Sequence, residues 1–282
     1  MTWWPWPTRP LQSLVKLPNS SLITSSSNPY VKWLRSLRDS PRERRSERAL
    51  LVEGIRLVTH ALQSGAVPRL VLYAPTQLAA TPEGAALLGL LEGRAFCWSA
   101  GPTALSAAAD TQQPQGVVAA FPWPEHAPRP GLRLVLDGIQ DPGNVGTLLR
   151  SAEAAGVGLV ICAPNSADPY SPKVLRAAMG AHFSLPLRVE QDWQRIADEL
   201  AACPLIYAAD AEATMPYYAA DWRQPAALII GSEAHGLSPE GHALATHQIA
   251  IPMLGRAESL NAAVAGSILL FEALRQRSRG RT

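Results

Sequence analysis

The chain has 282 residues, enough for one large domain or two ordinary ones, and its 47% apolar content belongs to a folded protein with a core. A net charge of +2 excludes a protein that works through one global electrostatic field. Three scattered cysteines (Cys97, Cys162, Cys203) with no C-x-x-C pair exclude a disulfide framework and point to a reducing, cytoplasmic setting.

Trp3, Trp4 and Trp6 are broken by Pro5 and Pro7, which makes a poor signal peptide, so residues 1–22 are expected to be a flexible extension. No apolar run reaches bilayer length, and no membrane partner is expected. Asn28 is placed to cap a helix running through Asp39. Leu50–Val52 reads as a strand ended by Glu53-Gly54, and Ile55, Leu57, Val58, Ala61 and Leu62 have helical spacing stopped by Gly65. Strands are expected at 69–73, 95–98 and 116–121, with a helix at 82–91. Residues 23–121 thus form a compact α/β domain. Seven Lys or Arg against three Asp or Glu between Lys32 and Arg48 give a local excess of positive charge. That excess suits either phosphate binding or a solvated helix face.

Four prolines in Phe121–Gly131 make 122–131 a semi-rigid linker. The second domain, 132–282, opens with a buried-type strand at 132–136. Helices follow at 144–155, at 171–179 with Ser171 as cap and Pro172 behind it, and at 193–201. Strands are expected at 157–162, 205–209, 226–230 and 248–251, and a final helix at 259–276 with an apolar stripe of Leu260, Val264, Ile268 and Phe271. Short apolar strands alternating with helices predict a mostly parallel sheet, with ligands held beyond its carboxyl ends.

Three glycine-rich, polar segments each follow a strand: Asp137–Arg150, Ile230–Ser238 and Ile251–Val264. Singly, each has a plain explanation: turn glycines at Gly143 and Gly146, an N-cap at Asn144, or caps for the last helix at Ser259 and Asn261. Together and in this order, the second half resembles the SpoU (TrmH-like) branch of the SPOUT methyltransferases. The likeness rests on Asn144–Arg150, Gly231-Ser-Glu-x-x-Gly236, Ile251-Pro-Met253 and Ser259-Leu-Asn261. The first half is similar to that family's L30e-like RNA-binding domain through Ser27-Asn-Pro29 and Leu51–Gly54. The resemblance implies an α/β fold in which an L30e-like substrate-binding domain precedes a SPOUT domain ending in a trefoil knot, a topology ordinary chain rules would not suggest.

The implied reaction moves a methyl group from S-adenosylmethionine to a ribose 2′-hydroxyl of RNA. By resemblance Asn144, Arg150, Glu233, Ser259 and Asn261 are catalytic, and backbone at Gly231, Ile251 and Leu260, with Met253 beside it, holds the cofactor. Arg150 is assigned to the target phosphate and developing charge rather than to base catalysis, since a guanidinium stays protonated. Glu233 is read as orienting Asn144 or Arg150, or as accepting the proton. Lys32, Arg35, Arg38, Arg42, Arg44, Arg45 and Arg48 are candidates for RNA phosphates, and Tyr30 and Trp33 either stack on a base or sit in the core. A homodimer through the knotted domain is implied, so Arg150 is expected to serve a pocket shared with the other subunit. The spacing of His235, His242 and His247 fits no standard site, and no metal is expected. The absence of G-x-G-x-x-G argues against a nicotinamide site. Ribosomal RNA of the 23S type is the expected substrate; transfer RNA and a non-catalytic RNA-binding role are the alternatives.

Overall fold

The computed structural model describes residues 22–190, 192–255 and 259–278. The expected N-terminal extension lies, but for Leu22, outside them. Contacts divide the chain into two units, Met1–Pro122 and Trp123–Thr282.

The first unit runs α1 (Pro29–Asp39), α2 (Pro41–Glu47), β1 (Ala49–Glu53), α3 (Ile55–Gln63), β2 (Leu70–Tyr73), α4 (Pro75–Leu78), α5 (Pro82–Leu91), β3 (Cys97–Ser99), α6 (Pro102–Ala108) and β4 (Val117–Pro122). Its sheet has the order β1-β4-β2-β3, parallel only between β2 and β3. Val31, Leu34 and Leu37 of α1 pack with Leu51, Leu72 and Ala120 on one face. The alternate positions Leu50, Val52 and Phe121 are buried too, so both faces are covered and the strands read as continuous apolar runs. Asn28 caps α1 by accepting the Tyr30 amide at 2.9 Å. The short α2 and α6 were not visible in the sequence: α2 is Pro-Arg-Glu-Arg-Arg-Ser-Glu, with no apolar stripe, and owes its start to the Ser40 cap.

Within this unit three of the seven candidate phosphate ligands are turned to internal work, which corrects the reading of one basic face. Arg44 is only 3% exposed, and its guanidinium donates to the carbonyls of Leu37 (2.6 Å) and Arg38 (2.9 Å). Arg38 reaches the carbonyls of Ala107 and Ala109 and pairs with Asp39, and Arg35 donates to Ala107 as well. These arginines satisfy carbonyls that helix ends leave without partners. Lys32, Arg42 and Arg45 stay exposed, while Arg48 ends α2 in the left-handed region (φ 45°). Tyr30 is buried and Trp33 packs against the core, so the base-stacking alternative gives way to the core one. Glu53 accepts from the Asp110 and Thr111 amides and the Thr111 hydroxyl, so it pins the start of the 110–115 loop.

The second unit runs β5 (Arg133–Asp137), α7 (Pro142–Ala154), β6 (Leu159–Cys162), α8 (Pro172–Ala177), β7 (Leu187–Val189), α9 (Trp193–Leu200), β8 (Leu205–Ala209), β9 (Met215–Pro216), β10 (Ala226–Gly231), α10 (Pro239–Leu244), β11 (His247–Ala250) and α11 (Ala262–Ser278). Seven strands in the order β7-β6-β5-β10-β8-β11-β9 all pair in parallel. Ile196 and Leu200 of α9 pack on Val135, Ile161 and Ile229 on one face, while α7 and α11 pack together against the other. Residues from Trp123 onward lie on this unit: Trp123 stacks on Tyr170 at 4.1 Å, and the Arg129 amide donates to Gly158.

The last helix turns a different face inward from the one its apolar stripe suggested. Ala262, Ala263, Gly266, Leu269, Leu270 and Ala273 are buried, whereas Val264 and Phe271 are 49% and 48% exposed and Leu260 precedes the helix. The reason is Gly266, where a Cβ would stand 2.4 Å from Leu148 Cδ2; small residues let α11 close on α7. On the other side α7 meets α8 at Gly146, whose missing Cβ would lie 2.4 Å from that of Ala177. Among the described residues no helix is long and apolar enough to cross a membrane.

Candidate active site

Asp141 caps α7 by accepting the Asn144 amide at 2.9 Å. Asn144 is therefore not the cap that a plain reading gives it. It sits in the first turn with its side chain available, and its Nδ2 donates to Glu233 Oε1. Asn261 completes the group, its Nδ2 donating to Asn144 Oδ1 at 3.0 Å and lying 3.4 Å from Glu233 Oε1. Its own Oδ1 accepts the Ala263 and Val264 amides (3.0 and 3.2 Å), so Asn261 both caps α11 and joins the cluster. Glu233 Oε1 also accepts the Ala262 amide at 3.3 Å. The carboxylate thus faces the positive end of a 17-residue helix.

Beside this cluster lies a cavity of about 390 Å³, beyond the carboxyl ends of β8, β10 and β11. Ile230, Gly231, Ile251, Met253, Leu260 and Leu269 form an apolar wall, and Asp210, Glu212, Ser232, Glu233 and Ser259 supply polar groups. Gly231 leaves β10 so close to the returning chain that a Cβ would stand 2.4 Å from Gly236 C. An apolar slot of this size with a few polar groups and accessible backbone fits an adenosine-bearing ligand. Asp210 and Glu212, which carry no motif, and His235 and His242 also line it. Among the described residues no group of three or more His, Cys, Asp or Glu is placed to hold a metal ion.

Of the expected site residues, Gly231, Glu233, Ile251, Met253, Ser259 and Leu260 share the cavity, and Asn144 and Asn261 join it through Glu233. Arg150 does not. Six residues at 100° each turn it about 120° away from Asn144, onto the exposed side of α7.

A parallel sheet carrying an adenosine-sized slot beyond its strand ends defines a ligand-binding α/β unit. The chain belongs to the SpoU rRNA methylase family, whose model matches residues 131–271, and the MRM3-like substrate binding domain matches residues 28–119. It is 36% identical to an uncharacterized tRNA/rRNA methyltransferase of Synechocystis, over 90% of this chain and 93% of the relative. It is 32% identical to the 23S rRNA (guanosine(2553)-2′-O)-methyltransferase RlmP of Bacillus subtilis, over 88% and 97%. The crystal structure of the SpoU methyltransferase AviRb from Streptomyces viridochromogenes in complex with AdoMet superposes with a TM-score of 0.77 at 30% identity, covering 90% of this chain and all of that one.

Proposed function

We propose that this protein transfers a methyl group from S-adenosylmethionine to a ribose 2′-hydroxyl of ribosomal RNA of the 23S type. The observation that carries the reading is the Asn144–Glu233–Asn261 cluster on the edge of an adenosine-sized slot. Backbone at Gly231, Ile251 and Leu260, with the Met253 side chain, holds the cofactor, which when bound supplies an electrophilic methyl group. Glu233 fixes the amide of Asn144, and Asn144, Asn261 and Ser259 orient the ribose at the slot's mouth; such positioning supplies much of the rate.

Arg150 grips the target phosphate and stabilises developing charge in a pocket completed by a second copy of the chain. Its placement away from its own cluster supports this. Met179 after α8 and Val264 and Phe271 on α11, helices that both pack on α7, are exposed apolar side chains that a homodimer would cover. The knot threaded by the C-terminal segment belongs to the same reading. Lys32, Arg42, Arg45 and Arg48 of the first unit bind RNA phosphates, while Arg35, Arg38 and Arg44 hold that surface in shape. Three buried free cysteines support a cytoplasmic location.

The test is incubation with methyl-labelled S-adenosylmethionine and unmodified ribosomal or transfer RNA, followed by nucleoside analysis. Label as 2′-O-methylribose in large-subunit rRNA, lost with Asn144→Ala and Arg150→Ala, supports the reading. Label in transfer RNA alone replaces its substrate, and cofactor binding without transfer to free rRNA or to assembly intermediates of the ribosome replaces the enzyme by an RNA-binding protein.

A further inference from the structure

β5 and β10 lie side by side with Asp137 in register with Gly231, and both strands end there. The two segments that leave them carry the two sides of the cluster: one runs to Asn144, the other carries Glu233. The second is an exposed loop, narrowed at its neck by paired bonds between Ser232 and Gly236 (2.9 Å each way). The His235 amide folds back onto the Ser232 hydroxyl. The loop is therefore a small rigid body held at one end by β10. What holds its other end decides where Glu233 stands.

That hold is Asp137. The side chain is buried, with 4% of the residue exposed, and Oδ2 accepts the Ser238 amide at 2.7 Å, where the loop rejoins the core. The Ser238 hydroxyl accepts the Gly241 amide at 3.0 Å, capping α10. Gly241 is packed so closely that a Cβ there would stand 2.5 Å from Asp137 Oδ2. Burial raises the carboxyl's pKa against the lowering effect of Ser238, so this tie is made with a group that is costly to bury. The sequence places Asp137 at the head of the first polar segment and assigns it no role.

We infer that Asp137 is a positioning residue for methyl transfer, clamping the returning end of the Gly231–Ser238 loop so that Glu233 meets Asn144. It touches neither the cavity nor the reacting atoms and acts through Ser238. Ile230 and Gly231, the residues of β10 that line the cavity, are held by the sheet itself, so the clamp bears on turnover more than on cofactor binding. The inference rests on the proposed role of Glu233.

The experiment measures kcat, KM for S-adenosylmethionine and cofactor-binding stoichiometry for Asp137→Ala, Asp137→Asn, Gly241→Ala and, in parallel, Glu233→Ala. Stoichiometry counts the folded fraction, so kcat is expressed per cofactor-binding site. Asp137→Ala is expected to lower kcat about 10- to 100-fold while KM changes less than about threefold, because a displaced orienting group costs rate rather than ground-state binding. Asp137→Asn keeps an oxygen acceptor for the Ser238 amide and is expected to recover kcat to within about fivefold of wild type. Gly241→Ala, which displaces the carboxylate from outside the cavity, is expected to reproduce the alanine defect; with Asp137→Asn it carries the test if Asp137→Ala does not fold. Wild-type kcat per site in Asp137→Ala or Gly241→Ala, or Asp137→Asn no better than Asp137→Ala, overturns the clamp. If Glu233→Ala loses the rate and Asp137→Ala keeps it, only the clamp falls; if Glu233→Ala keeps the full rate, the role of Glu233 falls and takes the clamp with it.

Discussion

Asn261 donates its side-chain amide to the Asn144 side-chain oxygen at 3.0 Å across 117 residues of chain, joining the first turn of α7 to the cap of α11. The two jobs of Asn261 separate by substitution. Asn261→Ala removes the cap oxygen for Ala263 and Val264 and is expected to cost about 0.5–2 kcal/mol of stability along with activity. Asn261→Asp keeps a capping oxygen but removes the amide donor and sets a second negative charge beside Glu233. Its denaturant midpoint should stay close to wild type while kcat falls about 100-fold. A fully active Asn261→Asp would leave Asn261 a helix cap and nothing more.

Helix packing predicts unequal costs at two similar glycines. At Gly146 an added Cβ meets the Ala177 Cβ at 2.4 Å and the Val174 carbonyl at 2.8 Å, neither of which can turn aside. Gly146→Ala should destabilise the protein by about 1–3 kcal/mol. At Gly266 the close neighbour is Leu148 Cδ2, the end of a flexible side chain, and alanine gains helix propensity. Gly266→Ala should cost less than about 1 kcal/mol, and urea unfolding of the pair checks the order.

The division of arginines in the first unit is testable by salt. Arg45 is exposed, and Arg45→Ala is expected to leave stability unchanged while weakening RNA binding and flattening its salt dependence by about one counterion. Arg44→Ala strips the Leu37 and Arg38 carbonyls of a buried donor and is expected to lower stability by about 1–3 kcal/mol. Filter binding across a salt series, paired with thermal melts, separates the two effects.

His182 is buried; its Nε2 pairs with the Pro169 carbonyl at 2.7 Å, and its Nδ1 has no hydrogen-bond partner among the described residues. Burial pushes its pKa down from 6.5 to about 4. Above pH 6.5 the ring is neutral in both folded and unfolded chains and contributes no slope. As pH falls from 6.5 toward 4 the unfolded chain takes up a proton that the folded one refuses, so stability declines by about 1.4 kcal/mol per pH unit, reaching about 3 kcal/mol. His182→Gln, which can still donate to Pro169, should remove that part of the slope in denaturant titrations between pH 4 and 7. An unchanged slope would mean that His182 titrates normally.

The parallel sheet and the three loops were legible because their signals are local: apolar runs of strand length, glycines at strand ends, and Asn28 or Ser171 before a helical proline. What escaped were features set by tertiary packing. The stripe Val264–Ile268–Phe271 reads as a core face, and only the close approach of Gly266 to Leu148 shows why the small-residue side went inward. Seven basic residues read as one phosphate surface, because charge spacing says nothing about which guanidiniums meet stray carbonyls in the fold. Asp141 took the capping place three residues before Asn144, which released the Asn144 side chain for Glu233.

The most direct test of the central claim is transfer of labelled methyl groups to unmodified 23S-type ribosomal RNA by wild type and Asn144→Ala, with 2′-O-methylribose identified in the digested product. The account predicts label in a single nucleotide for wild type and at least about 100-fold less for Asn144→Ala, with cofactor binding retained. Equal labelling by the two proteins, or label on a base instead of a ribose, would contradict it.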